Sequence, residues 1–176
     1  MADYRNQRVA VLIDVQNMYY TAKSAFDSHV SFGAILKTAV EDRQLVRAFA
    51  YVIKADIKEE QKFFDALKNL GFEVRAKDLQ VFHGGAKKGD WDVGIAMDSV
   101  RLAPKIDVLV LVSGDGDFRD LLAYMRAQGV RTEVIAFGQS TSQKLIEEAD
   151  MFVDLDKDKR KYLIRRRTKA PSAEHL

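Results

Sequence analysis

Two acidic residues stand where apolar runs end. Arg8-Val-Ala-Val-Leu-Ile-Asp14 is a continuous apolar stretch that stops at a carboxylate, with Asn17 three residues on. A second run, from Ile106 to Val112, passes into Ser113-Gly-Asp115-Gly-Asp117-Phe118. A third acidic set, Asp90, Asp92 and Asp98, follows the glycine-rich stretch Phe82-His-Gly-Gly-Ala-Lys-Lys-Gly-Asp90. In open parallel sheets ligands bind beyond the carboxyl ends of the strands, so acids that end separate buried strands face one crevice. Close carboxylates repel: two unit charges about 4 Å apart cost roughly 4 kcal/mol at an effective dielectric of about 20. Folding requires no such arrangement, so a cation site is the economical reading. Carboxylate oxygens, in a chain with no cysteine and no well-placed histidine, favour Mg²⁺ or Mn²⁺ over zinc. Mg²⁺ takes one or two carboxylates directly and leaves the others to act through water. That chemistry suits activation of water for attack on a phosphodiester.

Each aspartate also has a plainer reading. Asp115 or Asp117 could cap a helix that starts near Phe118. If Asp117 is the cap, Asp120 falls at the third helical position and suits the positive helix end. Asp92 could cap the preceding helix in the same way, and Asp98 with Arg101 could be a surface pair at i, i+3. Asp92 and Asp98 are six residues apart, about 240° around a helix, so both cannot face one point. Asp92, at the helix start, is the better candidate for the crevice.

The elements that must position these residues follow from periodicity. Short β-branched runs predict buried strands at Arg8–Asp14, Leu45–Ile53, Phe72–Ala76, Ile106–Val112 and Thr132–Phe137, with Phe152-Val153 as a final edge. Helical spacing predicts helices over 16–27, 31–41, 57–69, 92–102, 118–128 and 141–149, with Gly71 and Gly129 closing two of them. Strands alternate with helices and lack period-two polarity. The expected architecture is therefore a three-layer α/β/α sandwich around a mainly parallel sheet, a single domain over residues 1–153. Residues 154–176 read as a basic C-terminal appendage, part helix and then disordered.

In order and spacing these motifs resemble NYN domains, a branch of the PIN-like nuclease superfamily that takes in the bacterial LabA-like proteins. Val-Leu-Ile-Asp14-Val-Gln-Asn17 resembles the first motif, and Lys88-Gly-Asp-Trp-Asp92-Val-Gly-Ile-Ala-Met-Asp98 the second. Leu-Val-Ser113-Gly-Asp115-Gly-Asp117-Phe-Arg-Asp120-Leu resembles the third and most specific. The likeness spans about residues 7–153. It implies a PIN-like fold and metal-dependent cleavage of RNA, with DNA left open. By that resemblance Asp14, Asp92, Asp115 and Asp117 hold Mg²⁺ or Mn²⁺ or its waters. Asn17 orients the first motif or touches substrate, Ser113 supports the turn, and Asp98 and Asp120 are outer members. The competing reading keeps the acidic pocket but makes it a non-catalytic module that binds RNA or a regulatory partner.

Other features bear on substrate. Lys87 and Lys88 sit beside the proposed site and could contact phosphate, or lie in a solvated loop. Trp91 could stack on a base or pack the loop onto the core. Of Tyr19 and Tyr20, one is expected in the core and the other at the groove. Residues 157–176 carry 8 Lys/Arg against 2 Asp/Glu, leaving 20 against 24 in residues 1–156. Arg165, Arg166 and Arg167 in that basic tail suit phosphate contacts with salt-dependent affinity. The bland alternative is a solvated tail.

Several classes are disfavoured. No G-x-x-x-x-G-K-[ST] occurs, nor G-x-G-x-x-G after the first strand. A phosphatase of the aspartyl-phosphate type would want Asp-x-Asp there, and Gln16 occupies the second place. No apolar run approaches the about 18 residues of a membrane span, so no membrane association is expected. Met1–Arg8 is polar, and the chain lacks cysteine, which fits a cytoplasmic setting. The edge at Phe152-Val153 leaves pairing between copies open.

Overall fold

A computed structural model describes residues 3–54, 60–85 and 87–165, without the side chains of Lys87 and Lys88. The chain begins with β1 (Arg8–Asp14), α1 (Val15–Phe26), β2 (Ser28–Val30), α2 (Phe32–Val40) and β3 (Gln44–Lys54). It continues through α3 (Glu60–Asn69), β4 (Glu73–Asp78), the short β5 (Gln80–Val81) and β6 (Lys87–Lys88), and α4 (Asp92–Leu102). β7 (Val108–Val112), α5 (Arg119–Ala127), β8 (Arg131–Ala136), α6 (Gln143–Glu148) and β9 (Met151–Asp154) complete the body. α7 (Lys159–Tyr162) and β10 (Leu163–Arg165) follow.

The main sheet has the order β4-β3-β1-β7-β8-β9, and every pairing in it is parallel. The first three strands wind outward in one direction and the last three in the other. The order reverses between β1 and β7, which are directly hydrogen-bonded neighbours. This is the doubly wound arrangement whose crevice lies at that switch point.

The core explains why β1 and β7 are uninterrupted apolar runs. Val9 to Ile13 and Val108 to Val112 are all fully buried, because helices cover both faces of the sheet. Side chains alternate between the faces. Val9, Val11 and Ile13 pack with α1, α2 and α3, whereas Ala10 and Leu12 pack with α4, α5 and α6. Each Leu or Ile withdrawn from water in this way stabilises the fold by about 1.5–3 kcal/mol. The exposed edge β4 carries Glu73, Arg75, Lys77 and Asp78, charges that discourage edge-to-edge pairing.

An ion pair is buried against the sheet. Arg43 and Glu133 face each other with side chains only 7% and 4% exposed. Arg43 Nη1 and Nη2 donate to the two carboxylate oxygens at 2.9 Å, tying the α2–β3 turn to β8, and Arg131 Nε donates to the same carboxylate at 3.1 Å.

The chain beyond residue 153 does not leave the body at once. Leu155 and Tyr162 are buried. The amide of Ser31 donates to the Tyr162 carbonyl at 2.8 Å, and β10 pairs antiparallel with β2. The basic character of this stretch is confined to its outward side chains. Arg166 and Arg167 lie outside the described residues. So do residues 55–59, where helix α3 was expected to begin.

Candidate metal centre at the strand switch point

β1 delivers Asp14 to the carboxyl edge of the sheet, where it caps α1 by accepting the Asn17 amide at 3.2 Å. β7 delivers the turn Ser113–Asp117 beside it. Ser113, fully buried, joins the two: its hydroxyl reaches Asp14 Oδ2 at 3.4 Å and accepts the Asp115 amide at 3.3 Å. Asn17 Oδ1 accepts the Gly114 amide at 3.0 Å, a second tie between the β1–α1 junction and the turn. Gly114 is required by close approach. A Cβ there would lie 2.9 Å from Thr141 Oγ1 and 3.0 Å from the Ser140 carbonyl oxygen.

The cap on the short 3-10 turn at Gly116–Phe118 is Asp115, whose Oδ1 accepts the Asp117 amide at 2.9 Å. The expected alternative, Asp117 as cap, is not realised; Asp117 is exposed in the first turn. Asp92 begins α4 but does not cap it. Its amide donates to Asp90 Oδ1 at 3.3 Å, while the N-cap position, Trp91, makes no side-chain cap. The Asp92 carboxylate is left to face the crevice.

One carboxylate oxygen from each of Asp92, Asp115 and Asp117 lies within 4.8 Å of the others, the one such group among the described residues. Asp14 stands outside this trio but lines the same cleft of about 600 Å³, together with Asp90, Asn17 and Tyr20. Partial burial raises the Asp92 carboxyl to about 6, with the charges of Asp115, Asp90, Asp14 and Asp117 pushing the same way. Asp14 is also raised, chiefly by burial, against the hydrogen bonds from Asn17 and Ser113. Carboxylates that must crowd and partly hold protons are what a divalent cation relieves. An all-oxygen donor set fits Mg²⁺ or Mn²⁺.

Two outer members are not brought to this centre. Asp98 is buried on the far side of α4. Arg75 Nε stands 3.0 Å from it and Arg101 3.2 Å, and it accepts the Tyr51 hydroxyl at 2.8 Å. The six-residue spacing from Asp92 turns it away, and the two guanidinium groups neutralise it. Asp120 lines an adjoining hollow with Asp117, Arg119 and Lys144 rather than the cleft. Arg165, exposed on β10, pairs through its backbone with Ser28 and does not line the cleft. The backbone of Lys87 and Lys88 forms a two-residue ribbon with Gln80 and Val81 shortly before Asp90; their side chains lie outside the described residues.

Trp91 packs on Tyr51, ring centroids 5.2 Å apart, and its Nε1 donates to the Val52 carbonyl at 2.8 Å. It anchors the loop that presents Asp90 and Asp92. Tyr19 and Tyr20 are both exposed; Val15, Met18 and Ala22 take the inner face of α1 instead. Asp90, of the third acidic set, and Tyr20, one of the two tyrosines weighed for the groove, both line the cleft; Thr21, Ser24 and Ser140 line it too and carry no motif signal.

A doubly wound parallel sheet with converging carboxylates at its switch point is an α/β domain with an acidic centre. Residues 8–156 match the model of the NYN domain, and the chain belongs to that family, a PIN-like nuclease family. It is similar to the low amplitude and bright protein LabA of Synechococcus elongatus, 28% identical over 162 residues, 87% of this chain and 86% of that protein. A crystal structure of a protein of unknown function from Vibrio parahaemolyticus superposes with a TM-score of 0.83. That protein is 36% identical, and the match covers 93% of this chain and 100% of the other. Among the described residues no helix is long and apolar enough to cross a membrane.

Proposed function

We propose that this chain is a Mg²⁺- or Mn²⁺-dependent ribonuclease. The observation that carries the reading is the meeting of Asp92, Asp115 and Asp117 within 4.8 Å at the switch point of an NYN-family sheet. Asp92, Asp115 and Asp117 would hold the cation, and Asp14 would act on its waters. A divalent cation bound there supplies Lewis acidity toward a phosphodiester and lowers the pKa of water. The chain's own residues do the positioning. Ser113 and Asn17 lock Asp14 and the Asp115 turn in one register, and Trp91 fixes the start of α4. Lys87 and Lys88, three and two residues before Asp90 in the sequence, are the phosphate contacts this reading assigns. A cysteine-free chain of this kind suits the cytoplasm.

The test is cleavage of single-stranded and structured RNA and DNA with Mg²⁺, Mn²⁺ or EDTA, wild type beside Asp115→Asn. Asparagine keeps the cap that Asp115 makes. Metal-dependent cleavage of RNA that this variant loses is expected. Folded wild-type protein that cuts nothing with either metal, yet binds RNA, would replace this reading with a non-catalytic binding module.

A further inference from the structure

Beside the acidic cleft lies a second, mostly apolar groove of about 380 Å³, between α1, the end of β3 and α3. Its floor is Val15, Val52 and Phe64, and its walls are Tyr19, Tyr20 and Phe63. Those three wall side chains are 37%, 57% and 37% exposed. Aromatic rings kept in water are not needed by the core, which α1 covers with other residues. They are also pre-set: Tyr19 and Tyr20 pack edge to face at 5.7 Å, and Phe63 is braced by Phe32 at 5.9 Å and Phe64 at 6.2 Å. Lys23 lies over the Tyr19 ring, its Nζ 5.9 Å from the centroid, and adds a cation to the rim.

The groove and the cleft adjoin. Gln16 and Tyr20 line both. A polymer whose phosphate meets the carboxylate centre has an adjoining residue beside the aromatic wall. We infer that this groove is a stacking subsite for one unpaired nucleobase next to the scissile phosphate, with Tyr20 and Phe63 as its faces. The inference rests on the nuclease reading for the position of that phosphate. A base inside a duplex is stacked and paired and cannot enter, so the subsite selects single-stranded substrate. Stacking accepts any base, because every base has a π face, so the selection is for strandedness rather than sequence.

The experiment is fluorescence anisotropy with an end-labelled oligoadenylate RNA, Ca²⁺ replacing Mg²⁺ to suppress cleavage, and a series of the same RNA with one base removed at a time. Wild type is expected to lose roughly 5- to 150-fold in affinity at one abasic position, the range for one base on one aromatic face. Tyr20→Ala should weaken the intact RNA by a similar factor and become indifferent to that abasic position; Tyr20→Phe should bind as wild type does. Tyr20 is largely exposed, so the alanine variant folds, which circular dichroism checks. Equal loss at every abasic position, or unchanged binding by Tyr20→Ala, overturns the subsite. So does wild-type self-association that Tyr20→Ala abolishes while RNA binding stays intact, which would assign the groove to a second copy. Failure of the nuclease reading shows separately: the Tyr20 pattern would persist although no metal supports cleavage. Metal-dependent cleavage with RNA binding indifferent to Tyr20 would remove the subsite and leave the nuclease standing.

Discussion

Replacing Asp92 by asparagine should make the metal-free protein more stable, although it removes a residue at the centre of the site. Carboxylate oxygens of Asp92, Asp115 and Asp117 lie within 4.8 Å of one another. At that separation each ionised pair costs about 3.5 kcal/mol at an effective dielectric of about 20, and nearer 1 kcal/mol in water. Asp92 is half-buried and Asp117 exposed, so the lower end applies, and two neighbours together cost Asp92 about 1–2 kcal/mol. Against this, a negative charge in the first turn of α4 is favoured by about 0.3–1 kcal/mol through the helix dipole. Repulsion wins by up to about 1.7 kcal/mol, and for a chain of this size that raises Tm by up to about 7 °C. Asparagine keeps the shape, and no cap is lost because the Asp92 side chain makes none. The assay is thermal unfolding in EDTA above about pH 7, where the carboxyl is ionised, and then with Mn²⁺. Mn²⁺ at about 100 times its Kd should stabilise wild type by about 2.7 kcal/mol and the variant by much less. A lower Tm for Asp92→Asn in EDTA would refute the reasoning by showing the carboxylate to be structural. Equal Mn²⁺ stabilisation of both proteins would refute it too.

Three further outcomes are expected. Because the folded protein holds the Asp92 proton more tightly than the unfolded chain, with its carboxyl near 6, that group's stabilisation is full below about pH 4 and fades as pH rises through 6. Mn²⁺ affinity should climb across the same window, since binding needs the carboxylate; Tm and calorimetric titrations of wild type against Asp92→Asn read both. Gly94→Ala puts a Cβ 2.4 Å from Trp91 Cε3, and overpacking of about 1–3 kcal/mol outweighs the roughly 1 kcal/mol gain in helix propensity. The emission of Trp91, the single tryptophan, should shift to the red as Mn²⁺ binding weakens. Arg43→Ala removes two of the hydrogen bonds to buried Glu133 and leaves it Arg131 Nε at 3.1 Å; the loss should cost about 1.5–3 kcal/mol in urea unfolding, while Mn²⁺ affinity per folded molecule is unchanged.

Much of this architecture is legible because a central parallel strand is buried on both faces. Val9–Ile13 and Val108–Val112 had to be unbroken apolar runs, and the acids that end them had to reach the crevice. What stayed hidden depends on partners distant in sequence. Asp98 is claimed by Arg75 of β4, a contact that no local spacing announces. The exposure of both Tyr19 and Tyr20 follows from Val15, Met18 and Ala22 taking the inner stripe of α1. Leu155 and Tyr162 return to the core from a stretch whose lysines and arginines dominate its composition. The short β2 alternates a buried, an exposed and a buried residue over only three positions, too few to declare a strand.

The capping readings of the aspartates and the metal reading compete for the same residues, and hydrogen bonding separates them. Asp14 caps α1, Asp115 caps the turn after β7, and Asp90 accepts the Asp92 amide at the start of α4. The fold alone accounts for those three. Asp92 and Asp117 cap nothing, yet their carboxylates converge on that of Asp115. A carboxylate that closes a backbone amide repays part of its crowding; one that does not only adds to it. Asp92 and Asp117 gain only the weak pull of a helix start, less than three crowded carboxylates cost, and their convergence is what favours a cation in this crevice over the end of a helix.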